Sequence, residues 1–206
     1  MLSNPYLTIW TKPRATMEQV RPNPNRGLLL FCIINGLLLN INFAQTYALQ
    51  GGMKWGWLLL LSIILSPITG YINLTVANFF VFITGKWLKG DASFRESRAA
   101  LAWSSFPLII NVLIWFLLFS VVGEKLFTPP NQMLFTRPET FLLFGVSLVQ
   151  VVFSVWSLIV YFNALAAMQG FSVLRAIGNV VIATILFLII ILILWVIVVL
   201  IGTKFV

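Results

Sequence analysis

Hydrophobic positions in this chain do not alternate with polar ones; they run together. Five stretches carry no charged residue: Gly27–Met53, Trp55–Gly85, Ala99–Gly123, Thr140–Leu174 and Ala176–Thr203. Nearly every charge sits in the short segments between them. An apolar run of about 20 residues, at 1.5 Å rise per residue, crosses the roughly 30 Å hydrocarbon layer of a bilayer. The pattern predicts an all-α integral membrane protein with five transmembrane helices, over about 27–49, 55–85, 99–122, 140–162 and 177–201. Residues 1–26 form a polar, proline-marked segment with no apolar core of a cleavable leader, and residues 27–206 form one membrane domain.

Local signals refine the spans. Gln50-Gly51-Gly52 predicts a tight hairpin between the first two, because glycine tolerates the reversed backbone of a short turn. Trp55 and Trp57 follow, placed for an interfacial aromatic belt. The second run would reach about 45 Å as one helix, so it either tilts and bends at Pro67 and Gly70 or projects past the membrane. Glu124–Glu139, with Pro129, Pro130 and Pro138, reads as a non-helical loop.

Composition narrows the chemistry. The chain is 60% hydrophobic and 9% charged, against roughly half and a quarter in soluble domains. Its net charge of +8 belongs at a membrane surface, where basic residues set topology and meet anionic lipid; nucleic acid is not expected. There is no histidine, and the single Cys32 allows no intrachain disulfide. The candidate acids, Asp91, Glu96, Glu124 and Glu139, lie outside the apolar runs and form no paired-carboxylate, nucleophile or phosphate-loop pattern. The expectation is a non-enzyme without cofactor or metal. With the N-terminus in the cytoplasm, nine Lys and Arg fall on inner segments and four on outer ones, which predicts N-in, C-out.

Three features carry interaction chemistry. The densest charged stretch, Lys86–Arg98, contains Ser93 and Glu96 at capping-box spacing, so the third helix should start near Ser93 and bend at Pro107. Lys86, Lys89, Ser93, Arg95 and Arg98 there, with Arg175 at the other inner turn, suit either a docking patch or simple topology determinants and caps. Gly90 and Gly170 each precede a candidate cap serine, a weak echo of two related hairpins. Near the N-terminus, Pro13 suits the first turn of a short helix. Trp10 and Met17 could face lipid there while Lys12, Arg14 and Arg21 meet headgroups; a mobile tail is the alternative.

These residues also carry a resemblance. Ile9-Trp10-Thr11-Lys12-Pro13-Arg14-Ala15-Thr16 looks like the start of bacterial members of the Yip family, the Ypt/Rab-interacting membrane proteins. The Ser93-Phe94 turn leading to Ala102-Trp103-Ser104-Ser105-Phe106-Pro107 is similar to that family's central signature. Trp156, Ala164, Gly170, Ser172, Arg175 and Ala176 fit its fourth-to-fifth span turn. The resemblance implies five spans, N-in and C-out, and supplies no catalytic residues. The long cytosolic tail and Asp-Leu-Tyr-Gly-Pro motif of the Rab-binding eukaryotic relatives are missing, so it implies a bacterial cytoplasmic (inner) membrane.

Polar residues inside the runs complete the list. Asn73, Asn78, Asn111, Ser147, Gln150 and Ser154 are candidates for an intramembrane polar face; Ser147, Gln150, Ser154 and Ser157 recur at helical spacing and should point into the bundle. The reading is a membrane-organising or adaptor protein that contacts anionic headgroups and a membrane or cytoplasmic protein partner through basic inner segments. Open beside it stand a small-solute, ion or lipid transporter or channel using the polar face, an accessory subunit of an exporter, and homo-oligomer formation.

Overall fold

The structure, a computed structural model, describes residues 4–48, 54–127 and 135–202. Regular structure among them is helical throughout: α1 (Pro5–Thr8), α2 (Pro13–Val20), α3 (Leu28–Ala48), α4 (Trp55–Trp87), α5 (Phe94–Ser104), α6 (Ile109–Val121), α7 (Arg137–Gln169) and α8 (Val173–Gly202). Short 3-10 turns follow α5 (Phe106–Leu108) and α6 (Gly123–Phe127). Five helices are long and apolar enough to cross a membrane, α5 and α6 together making the third. The Gln50–Gly52 turn and Pro129-Pro130 fall outside the described residues.

Several boundaries differ from the sequence expectation. The fourth span starts at Arg137, inside the expected loop, because Thr136 and Glu139 form a capping box with Pro138 in the first turn. It runs on to Gln169 through Ala164, Ala166 and Ala167, strong helix formers. It stops where Gly170 takes a left-handed φ of 70°.

The α3–α4 hairpin is the most intimate pairing. A Cβ built on Gly36 would collide with the Ser66 carbonyl, and one built on Gly70 with the Cys32 carbonyl. Cys32 and Gly36 on α3, and Ser62, Ser66 and Gly70 on α4, are spaced by four and let the two backbones touch, the small-residue packing of membrane helices. Leu58, Ser62, Ser66, Gly70, Leu74 and Asn78 form a buried stripe at every fourth position of α4. Pro67 lies inside this helix without ending it. Its ring removes the amide that would bond the Ile63 carbonyl, and the Ser66 hydroxyl takes that carbonyl instead, at 2.8 Å.

The third span breaks where Pro107 was expected to bend it, through the 3-10 turn. The Ser104 carbonyl at the break accepts from the Ser157 hydroxyl of α7 at 2.6 Å. Against this joint sit α1 and α2. Tyr6, Trp10, Phe31, Trp103 and Phe106 make an aromatic cluster with ring centroids 4.9–6.3 Å apart. Ile9, Met17 and Val20 are fully buried. The apolar side of α2, expected to face lipid, is covered by protein, chiefly α7.

Burial is unequal along the spans. On α7 the buried residues run from Ser157 to Gln169, and on α8 they are Ala176, Asn179 and Ala183. Beyond them the two helices present apolar side chains outward, Leu188–Ile201 among them.

Candidate functional site

Two turns meet at the end of the bundle that also holds α2 and the start of α5. At the first, α4 ends with Lys89 at a left-handed φ of 62° and the Gly90 amide returning to the Gly85 carbonyl at 2.9 Å. At the second, Gly170 is left-handed and the Phe171 amide returns to the Ala166 carbonyl, also at 2.9 Å. Both are the same helix-terminating closure. The sequence echo paired Gly90 with Gly170; by backbone conformation the partner of Gly170 is Lys89.

Each turn then starts a helix. Ser93 and Glu96 form the expected capping box: the Ser93 hydroxyl accepts from the Glu96 amide and the Glu96 carboxylate accepts from the Ser93 amide at 2.7 Å. Ser172 accepts from the Arg175 amide at 3.3 Å.

The turns interlock. The Asp91 amide donates to the Gln169 carbonyl at 3.2 Å. The buried Gln169 side chain lies against Gly85 and Gly90, where any Cβ would collide with its amide. Beside it the Thr84 hydroxyl bonds the Asn179 amide oxygen. A side chain at 85 or 90 would have to displace the Gln169 amide, so glycine at both positions fits the joint as it stands.

This geometry sorts the basic residues. Lys86, Lys89, Arg95 and Arg175 are exposed around the joint; Lys86 also reaches the Gly90 carbonyl at 3.0 Å. Arg21 joins them from α2, pairing with Glu96 at 3.3 Å and donating to the Ala167 and Met168 carbonyls at 3.0 and 2.8 Å. A cation on those last carbonyls also suits the negative end of the α7 dipole.

Arg98 is different. It is 7% exposed, donates to the Tyr71 hydroxyl and the Asn25 side-chain oxygen at 3.1 Å each, and lies over the Tyr71 ring. It holds the segment before α3 against α4 and α5. Ser93 is exposed but engaged in its cap. Lys12 and Arg14 are exposed at the start of α2, with the length of that helix between them and Arg21. Half-buried Trp10 meets Phe153 at 6.1 Å, and its carbonyl accepts from the Trp156 indole at 3.2 Å.

The intramembrane polar residues do not form one face. Asn111 of α6 donates to the Ser154 hydroxyl at 3.3 Å and the Gln150 carbonyl at 3.5 Å. Ser147 and Ser154 are exposed, and of the four spaced polar residues on α7 only Ser157 is buried. The outer part of α7 has α6 packed on one side. Asn78 donates to the Phe94 carbonyl at 3.0 Å, at the start of α5. Asn73 lines a groove between α4 and α8.

Sequence reasoning missed Gln169, Asn179, Tyr71, Asn25 and Tyr161. Of the packing residues it also missed, the four-residue spacing of Cys32, Gly36, Ser62, Ser66 and Gly70 was the readable signal.

The sequence model of the Yip1 domain matches residues 7–200. The chain belongs to the Yip1 domain family. The match takes in α2, both interlocked turns and all five spans, so the joint lies within the Yip1 domain. Neither the comparison with curated proteins nor that with solved structures gives a match.

Proposed function

We propose that this multi-pass Yip1-domain protein is a non-enzymatic membrane-organising adaptor, and that the interlocked turns form its contact face. The observation that carries this reading is the gathering of Lys86, Lys89, Arg95 and Arg175 as exposed cations around the two interlocked turns. Their partners are anionic lipid headgroups and an acidic surface of a membrane or cytoplasmic protein.

The face is cytoplasmic in this reading. The nine-to-four distribution of basic residues supports it, and the family resemblance favours a bacterial inner membrane. Helix length adds a physical reason for a projecting face. The 33 residues of α4 and of α7 rise about 50 Å, against about 30 Å of hydrocarbon. The end bearing the buried polar groups Thr84, Ser97, Gln169 and Asn179 stands beyond the hydrocarbon.

Each basic residue near an anionic surface contributes on the order of 1 kcal/mol, screened within a Debye length. The test holds the full chain in nanodiscs of phosphatidylcholine and measures capture of phosphatidylglycerol vesicles. Replacing Lys86, Lys89, Arg95 and Arg175 by Gln should abolish capture at low salt, and added salt should erase the difference from the unaltered protein. Capture that survives neutralisation contradicts the reading. So does solute flux in proteoliposomes that disappears with Gln150→Leu and survives charge neutralisation.

A further inference from the structure

A groove of about 280 Å³ opens between α4 and α8, lined by Asn73, Ala77 and Phe80 on one side and Ala183, Thr184 and Phe187 on the other, with Tyr161 of α7 among its walls. Its lining is otherwise apolar. At about 30 Å³ per water-sized volume, it holds a segment of one acyl chain and not a whole lipid.

Two polar groups at it, the buried Tyr161 and the exposed Asn73, have no hydrogen-bond partner among the described residues. By contrast, Asn35, Asn40, Asn42, Asn78, Asn111, Asn163 and Asn179 in the spans all hydrogen-bond. The Thr184 hydroxyl is engaged with the Val180 carbonyl at 2.9 Å. An unpaired phenol and amide at the edge of hydrocarbon are costly unless something else supplies an acceptor.

The depth identifies the acceptor. Roughly 18 residues separate Trp55, at the outer end of α4, from Asn73, about 27 Å of helix. Asn73 therefore lies near the inner boundary of a layer about 30 Å thick. That is the level of the acyl-ester carbonyls of a glycerolipid, which accept hydrogen bonds and donate none.

We propose that this groove is a binding site for one membrane glycerolipid, with an acyl chain between α4 and α8 and an ester carbonyl accepting a hydrogen bond from the Tyr161 hydroxyl. Asn73 is the second donor at the rim. The site uses none of the exposed cations of the turn face, so it stands or falls independently of the adaptor reading.

The test uses the full chain in phosphatidylcholine–phosphatidylglycerol vesicles doped with a phosphatidylcholine that carries a diazirine near the carboxyl end of one acyl chain. After irradiation, adducts mapped by mass spectrometry should fall on residues 73–81 and 180–187 several-fold more densely than on 189–199, the lipid-facing part of α8. Ester-linked phosphatidylcholine should compete several-fold better than its ether-linked analogue. Tyr161→Phe should remove that preference while leaving thermal unfolding unchanged, and Ala77→Phe should remove the groove adducts by filling the space. Adducts no denser in the groove than along 189–199 would overturn the proposal. Equal competition by ester and ether lipid in the unaltered protein, or cross-links joining two copies at the groove, would do the same.

Discussion

Two antiparallel hairpins are packed in opposite ways. In α3–α4 the backbones touch at Gly36–Ser66 and Gly70–Cys32, and a buried stripe recurs at every fourth residue of α4. In α7–α8 burial on α8 is confined to Ala176, Asn179 and Ala183 near the turn, with Asn179 bonded to Thr84 of α4, and the outer parts then expose Leu, Ile and Val. Hydrophobicity does not explain the difference, because α8 is the more apolar helix. Lipid tails are as apolar as leucine, so association inside a bilayer needs close backbone approach or hydrogen bonds. The first hairpin has small residues at the right spacing. The outer part of α8 has none.

The largest effect should come from closing that approach. Gly70→Leu places a branched side chain against the Cys32 carbonyl, which cannot yield as a flexible side chain would. Overpacking costs about 1–3 kcal/mol in ordinary cores and occasionally more, and the upper end is expected here. Thermal unfolding in detergent should show it; an unchanged midpoint would mean that the hairpin does not depend on backbone contact.

Next comes Arg98→Met. It removes both hydrogen bonds of the buried guanidinium, and bonds to charged groups are worth about 1.5–3 kcal/mol. Hydrogen exchange should rise between residues 21 and 28, where Asn25 loses its anchor. Protection equal to that of the unaltered protein would place the docking energy elsewhere, in the Tyr6–Trp103 aromatic cluster.

Ser93→Ala should cost about 1 kcal/mol through the lost cap, seen as faster exchange at Phe94–Glu96 with the five spans intact. The smallest effect belongs to the loose hairpin. Ile193→Ala on α8, exposed on every side, should shift stability by less than about 0.5 kcal/mol. A larger loss would reveal a protein surface packed against α8.

What could be read from the sequence follows the same division. Charge-free runs announced the five spans because a bilayer imposes length and apolarity directly. The Ser93–Glu96 cap and the Pro13 helix start were legible because capping is local chemistry. Thr136–Glu139 has the same cap spacing and was hidden by its neighbouring prolines, one of which proved to sit in the first helical turn. Arg98 reads in sequence as one more surface cation, since its partners Tyr71 and Asn25 lie far from it along the chain. The apolar side of α2 looks the same whether lipid or α7 will cover it. Gln169 gives no signal at all, because its role depends on two glycines some 80 residues away.

The contrast between the hairpins can be measured directly by scanning single spin labels for oxygen accessibility in nanodiscs, along 57–74 of α4 and 189–201 of α8, with Cys32 replaced by Ala. On α4 accessibility should fall at Leu58, Ser62, Ser66, Gly70 and Leu74, the buried stripe, and rise between them. On α8 it should stay high at every position. A periodic pattern on α8 as deep as that on α4 would contradict the account, because it would mean that protein, not lipid, covers one side of the last helix.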